Sequence, residues 1–198
     1  MKALPVLHWP GAAGTPAPAW HDDLLVLMTT IPAGADARPA SVRARARADI
    51  RAAACEVAAL LTGVGAERLE VAGAPGSAPR LLFDGADSGI GMSISHAAKF
   101  SLAALHRTGA VGLDVMQIGL ASDWARVAHD YLGMATASLL AAADAPARPL
   151  AFCRAWVRRE AALKLRGEAL TEWTHDPRAV RFIELALGEA VVGVLAID

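Results

Sequence analysis

Four short stretches carry side chains whose types and spacing could do chemistry. In Trp156-Val157-Arg158-Arg159-Glu160-Ala161-Ala162-Leu163-Lys164, the residues Trp156, Glu160 and Lys164 recur at intervals of four. On a helix they lie along one slowly drifting stripe. A glutamate one turn before a lysine can be an ordinary surface ion pair, worth about 0.3 kcal/mol, or an acid and an ammonium aimed at one substrate. The lysine stands out by composition, because Lys2, Lys99 and Lys164 are the only lysines beside 16 arginines. In Val111-Gly112-Leu113-Asp114-Val115-Met116 an acid follows an apolar run, with a glycine two residues before it. An aspartate near a strand end can bind a cation, cap a helix or face water. In Ser93-Ile94-Ser95-His96 the hydroxyls and imidazole, with turn amides, can hold phosphate oxygens. Ser95 and His96 are not a hydrolase dyad, because neighbouring strand residues point to opposite faces and no G-x-S-x-G turn accompanies them. Arg43, Arg47 and Arg51 follow one another at intervals of four, with Arg45 off the stripe. That arrangement is either a solvated helix face or an anion-binding stripe.

The elements that must position these residues are legible in outline. Residues 3–9 read as a first strand and DDLLVLMTTI as a short apolar element, each followed by Pro- and Gly-rich loops. Ser41 to about Leu61 reads as a long helix with Ser41 as N-cap and Ile50, Ala54, Val57 and Leu61 as its apolar stripe. A short strand is expected at Arg80–Phe83. The run ISHAAKFSLAALHRTGAVGLDV reads as two strands joined near Arg107–Gly109, with Ser95 and His96 at the start of the first and Asp114 near the end of the second. Ser122 to about Leu140 suggests one or two helices. Leu150 to Arg166 is a strong helix stopped by Gly167. AVRFIELAL and AVVGVLAI are two closing strands. The order helix, hairpin, helix, hairpin predicts an α+β protein of two similar lobes packed face to face, with a site in the cleft between them.

Composition excludes several alternatives. The 198 residues are 55% hydrophobic, which argues for a globular core and against disorder. A net charge of −1 disfavours a general nucleic-acid binder, so anion recognition must be local. Cys55 and Cys153 lie in apolar helical patterns and read as free core thiols. The apolar run at the N-terminus is too short for a signal sequence, and no stretch is long enough to span a membrane. The expected location is the cytoplasm.

The ordered trio SISH, VGLDVM and WVRREAALK resembles the Sfp-type 4′-phosphopantetheinyl transferases, whose motifs run roughly N-I-S-H, I-G-I-D-I-E and W-x-x-K-E-x-x-x-K. An arginine on the family's first long helix is matched by Arg51. A G-K-P-like turn is matched loosely by Gly76-Ser77-Ala78-Pro79. The resemblance covers about residues 40–170. It implies two lobes, residues 1–115 and 116–198, related by a pseudo-twofold axis, each a long helix packed on a small antiparallel sheet. It implies transfer of the phosphopantetheine arm from coenzyme A to a serine of an apo carrier protein, with adenosine 3′,5′-bisphosphate released. The implied partners are coenzyme A and the carrier, with no nucleic acid or membrane, and a monomer suffices.

The resemblance also distributes roles. Magnesium would be held by Asp114 from one lobe and Glu160 from the other, because carboxylates and phosphate oxygens are its hard ligands. Glu160 would accept the serine proton. Lys164 would pair with the pyrophosphate, and Trp156 would anchor the helix by packing. Ser95 and His96 would bond the coenzyme's phosphates, and Arg51 with Arg47 would face its 3′-phosphate. Three positions depart from the motifs. Met116 replaces a second acid, and a thioether is a poor magnesium ligand. Ser93 replaces the asparagine, and Ala78 the lysine of the turn, which Arg80 or Lys99 could offset. Met116 and Ala78 motivate an alternative, a non-catalytic module that binds coenzyme A or a carrier.

Overall fold

A computed structural model of the chain describes residues 3–11, 17–31, 39–74, 77–97, 99–174 and 179–198. Parts of the two Pro- and Gly-rich loops, and Gly76 of the loosely matched turn, lie outside them. The strands are β1 (Val6–His8), β2 (Leu24–Thr30), β3 (Leu69–Ala72), β4 (Arg80–Phe83), β5 (Ala86–Asp87), β6 (Gly91–His96), β7 (Phe100–His106), β8 (Gly112–Gln117), β9 (Arg181–Glu184) and β10 (Val191–Ile197). The helices are α1 (Pro39–Thr62), α2 (Trp124–Val127), α3 (Met134–Ala142) and α4 (Arg148–Arg166), with a π turn over Ala128–Leu132. The fold is mixed α+β. No helix among the described residues is long and apolar enough to cross a membrane.

Two sheets stack between two long helices. The first has the order β1-β2-β7-β6 and the second β8-β10-β9. Period-two alternation in β2 and β7 supplies both faces of the first sheet. Leu25, Leu27, Ala103 and Leu105 meet Ile50, Ala54 and Val57 of α1. Leu24, Val26, Leu102 and Ala104 meet Leu113, Val115, Leu195 and Ile197 of the second sheet. The far face of the second sheet, through Val194 and Ala196, meets Val157, Ala161 and Leu165 of α4. A small third sheet, β3-β4-β5, adds Val71 and Leu81 to the core under α1.

Several expectations shift. Helix α1 begins at Pro39 rather than at Ser41, consistent with proline's fitness for the first helical position. The hairpin is β6–β7, closed by the Ala97 N–H donating to the Phe100 carbonyl at 2.9 Å, not a β7–β8 turn at Arg107–Gly109. Residues 107–111 instead carry the chain from one sheet to the other, because β8 pairs antiparallel with β10, Asp114 opposite Val194. Ser95 and His96 consequently end β6 rather than begin a strand. The expected division after residue 115 falls inside β8, all of which belongs to the second sheet. Asp114 and Glu160 stand on two elements packed on each other.

Gly112 permits that packing. A Cβ there would lie 1.9 Å from the Ala161 carbonyl oxygen and 2.6 Å from the Leu165 nitrogen. The glycine two residues before Asp114 is thus where the α4 backbone rests on β8. Gly167 ends α4 as its sequence indicates, with a left-handed φ of 67° and its N–H donating to the Lys164 carbonyl at 3.2 Å. Gly112→Ala should destabilise the fold by about 1–3 kcal/mol in urea denaturation. Gly119→Ala, where an added Cβ meets nothing within 4 Å, should leave the midpoint unchanged.

Candidate functional site

The close contact at Gly112 brings α4 down so that Lys164 reaches across the edge of β8. Its ammonium donates to Asp114 Oδ1 at 2.7 Å, to the Leu113 carbonyl at 3.0 Å and to Ser95 Oγ at 3.4 Å. An ammonium has three N–H donors, and all three are engaged. Asp114 is buried, 8% exposed, and its Oδ1 also accepts a hydrogen bond from Ser95 Oγ at 2.9 Å. A carboxylate buried this far costs several kcal/mol without a partner, and Lys164 with Ser95 meets that cost.

Glu160, one turn before Lys164, is half-buried and has no hydrogen bond or ion pair among the described residues. Burial first, and then the negative charge of Asp114, push its carboxyl above the usual value, against the opposing pull of Lys164 and Arg159. Two carboxylates thus share one ammonium. Trp156 fixes this stretch of α4, stacked on Phe152 and edge-on to Tyr131, each with ring centroids 6.1 Å apart. Met116 is partly buried and packs into the two clusters beneath α4, one with Phe152 and Cys153 and the other with Val157 and Ala161. It offers packing and no oxygen.

A second group forms a cationic cavity of about 220 Å³ beside α1, lined by Arg47, Arg51, Ser77, Pro79 and His96 among others. Arg51 lies one turn past Arg47, and its guanidinium donates to the carbonyls of Val71 at 3.3 Å and Gly73 at 2.8 Å. These bonds tether α1 to the end of β3 and aim the residue. His96 lies across the cavity with its Nδ1 2.7 Å from Ser101 Oγ, its antiparallel partner on β7. Burial, and then the cations Arg47, Lys164 and Arg51, hold its imidazole below the usual value, so the ring is neutral near pH 7. A cleft of about 480 Å³ lies on the other side of Pro79 and contains Arg80, Lys164 and Arg166. Pro79 is thus a shared wall between the α1 cations and Lys164.

The structure therefore brings together Asp114, Glu160 and Lys164, and separately Arg47, Arg51 and His96. Arg45 pairs with Asp49 at 2.9 Å, and Arg43 is exposed. Of the two cations considered as offsets for Ala78, Arg80 enters the cleft, and Lys99 is exposed beside the β6–β7 turn. Ser95 is bonded on every side: its single donor serves Asp114, and its oxygen accepts from the Val115 N–H at 3.3 Å and from Lys164. Sequence reasoning named Ser93 only as a replaced asparagine and missed its bond, in which Oγ accepts from the Leu113 N–H at 3.0 Å; it also missed Ser101 under His96. The signal for Ser93 was a serine at every second position of an otherwise apolar strand. Ser101 needed the hairpin register.

Residues 110–196 match the model of the 4′-phosphopantetheinyl transferase superfamily, a little under half of the chain. The match contains Asp114, Glu160 and Lys164, whereas Arg47, Arg51, Ser95 and His96 lie upstream of it. No curated protein matches the chain.

The Glu160 environment fixes a sign. Folding raises this pKa above 4.5, so the folded state is favoured most below the unfolded value and loses stability as pH rises through the folded one. Glu160→Gln should therefore raise the melting temperature at pH 7, and the gain should disappear as pH falls toward 4.5. A variant less stable than the parent at pH 7 would contradict the assignment.

Proposed function

We propose that the protein transfers the 4′-phosphopantetheine arm of coenzyme A to a serine of an apo carrier protein, releasing adenosine 3′,5′-bisphosphate. The observation that carries this reading is the convergence of two carboxylates on Lys164, which also lines the cleft bordered by Pro79, with Arg47, Arg51 and His96 lining the cavity that shares that proline. The superfamily match supports phosphopantetheine transfer independently of these contacts.

The residues suit the reaction. The serine oxygen forms a bond to the β-phosphorus as the bond from that phosphorus to the bridging pyrophosphate oxygen breaks. The proton of the serine goes to Glu160, directly or through water. Burial and Asp114 push the Glu160 carboxyl upward, toward the range in which a carboxylate is an effective proton acceptor near neutral pH. Lys164 meets the pyrophosphate by exchanging its longest bond, that to Ser95, for a phosphate oxygen. The cavity of Arg47, Arg51 and His96 takes another phosphate of the coenzyme, and Arg51 is held ready by its two backbone bonds. These groups act by positioning and charge stabilisation, which dominate displacement at phosphorus.

A divalent cation fits the donor set. Asp114 and Glu160 are hard oxygen donors whose mutual repulsion is visible in the raised Glu160 carboxyl, and magnesium takes one or two carboxylates with waters and phosphate oxygens. When bound, magnesium would neutralise charge on the phosphates. Water, rather than the Met116 thioether, would complete its shell.

The test is the intact mass of purified apo carriers of fatty-acid, polyketide and peptide-synthetase type after incubation with the protein, magnesium and coenzyme A. A gain of one phosphopantetheinyl group is expected on at least one. Absence of conversion on all three overturns the reading, and coenzyme A binding without turnover points instead to a binding module. Asp114→Ala and Glu160→Ala should each lower kcat by about 100-fold or more. Near-parental rates would remove them from the site.

A further inference from the structure

We propose that Ser95 is a positioning residue for the acid–lysine centre, holding Asp114 by one carboxylate oxygen so that the other stays open to the cation. The inference rests on the reading of Asp114 as a cation ligand, and it goes beyond that reading in assigning Ser95 a role away from the coenzyme.

The argument begins at the seam between the sheets. Strands β6 and β8 are each the last strand of their sheet. They run side by side in the same direction, with Ser93 next to Leu113 and Ser95 next to Val115. The inter-sheet face of β6's partner β7 is apolar, with Leu102 and Ala104 opposite Ser95 and Ser93. Both serines stand against this apolar face for a local reason: their hydroxyls accept from the N–H groups of Leu113 and Val115. Two buried edge donors are thereby satisfied without a backbone ladder.

Only Ser95 does more. Its proton goes to Asp114 Oδ1 at 2.9 Å, and the same oxygen takes the Lys164 ammonium at 2.7 Å. Asp114 Oδ2 has no partner among the described residues. Two donors on one oxygen, from two different elements, fix the rotation of the carboxylate and so fix the direction of Oδ2. Hydrogen bonds to a ligating carboxylate orient it in this way, and their loss typically weakens metal binding by about 10–100-fold. Without the hydroxyl, Lys164 alone would hold Asp114, and the carboxylate could swing with the ammonium when that cation moves to a phosphate. His96, the next residue, points from the same strand end into the cavity of Arg47 and Arg51. Ser95 therefore also sets the spacing between the acid centre and the anion cavity.

Ser93 is an internal control, because it makes the same seam bond and touches neither Asp114 nor Lys164. Mn²⁺ binding is measured by electron paramagnetic resonance for the parent, Ser93→Ala, Ser95→Ala, Ser95→Cys and Ser95→Thr, with melting temperatures alongside. Both alanine variants lose one seam bond and should melt about 2–4 °C lower. Only Ser95→Ala should weaken Mn²⁺, by about 10-fold or more, and Ser95→Thr should restore it. Ser95→Cys, which keeps the volume and replaces the hydroxyl with a weak donor, decides the matter if the alanine variant does not fold. In the loading assay Ser95→Ala should lower kcat with little change in KM for coenzyme A. Equal Mn²⁺ affinity in the two alanine variants overturns the inference. A raised KM with kcat and Mn²⁺ affinity kept also overturns it, by placing the hydroxyl on the coenzyme. A parent that binds no Mn²⁺ overturns the cation reading and this inference together.

Discussion

The ammonium of Lys164 meets a strand carbonyl, a buried carboxylate and a hydroxyl from the neighbouring sheet within 3.4 Å. This contact joins α4, β8 and β6, three elements that share no backbone ladder with one another. Its members are partly to nearly fully buried, with side-chain exposures of 31% for Lys164 and 11% for Asp114. Removing one partner of such a pair leaves an uncompensated buried charge, which costs about 3–5 kcal/mol. The pair is possible only because Gly112 and the small Ala161 let the α4 backbone settle on the strand. From that contact follow the nearness of Glu160 to Asp114 and the presence of Lys164 in the cleft beside Pro79.

The cost of this arrangement is electrostatic. Two acids share one lysine, and the Glu160 carboxyl is the one pushed upward, by burial and Asp114 against Lys164 and Arg159. A site for a cation or a transferable proton needs such an excess. The α1 side shows the reverse, with Arg47 and Arg51 beside an imidazole held neutral. An acid pair on one side and cations around a neutral imidazole on the other suit a ligand carrying several phosphates bridged toward a cation.

Much of this was legible in the sequence, for reasons specific to each residue. The four-residue spacing of Trp156, Glu160 and Lys164 survives because α4 is regular and ends at Gly167. The stripe Ile50, Ala54, Val57 is buried because α1 lies on a sheet along its length. Arg47 and Arg51 share a cavity because they are one turn apart. What was not legible depends on contacts between distant segments. The strand from Gly112 to Gln117 reads equally well as the second arm of a hairpin, and only its pairing with β10, some 80 residues later, removes it from the first sheet. The same blindness hides the partners of Ser95. A serine beside a histidine invites a phosphate, and nothing local shows that a second strand edge and an aspartate have already taken its donor and its lone pairs. Met116 could be read as a missing ligand from its type, whereas its packing into two clusters beneath α4 needs the fold.

The central claim is that the acid pair and the cationic cavity form one site for coenzyme A and a divalent cation. Calorimetric titration of coenzyme A into the protein, with and without magnesium, tests it most directly. The account predicts that magnesium tightens coenzyme A binding by about 10-fold or more, and that Asp114→Ala abolishes this gain while retaining the weaker, magnesium-independent binding through Arg47, Arg51 and His96. Binding of coenzyme A with the same affinity in both conditions, or no binding at all, would contradict it.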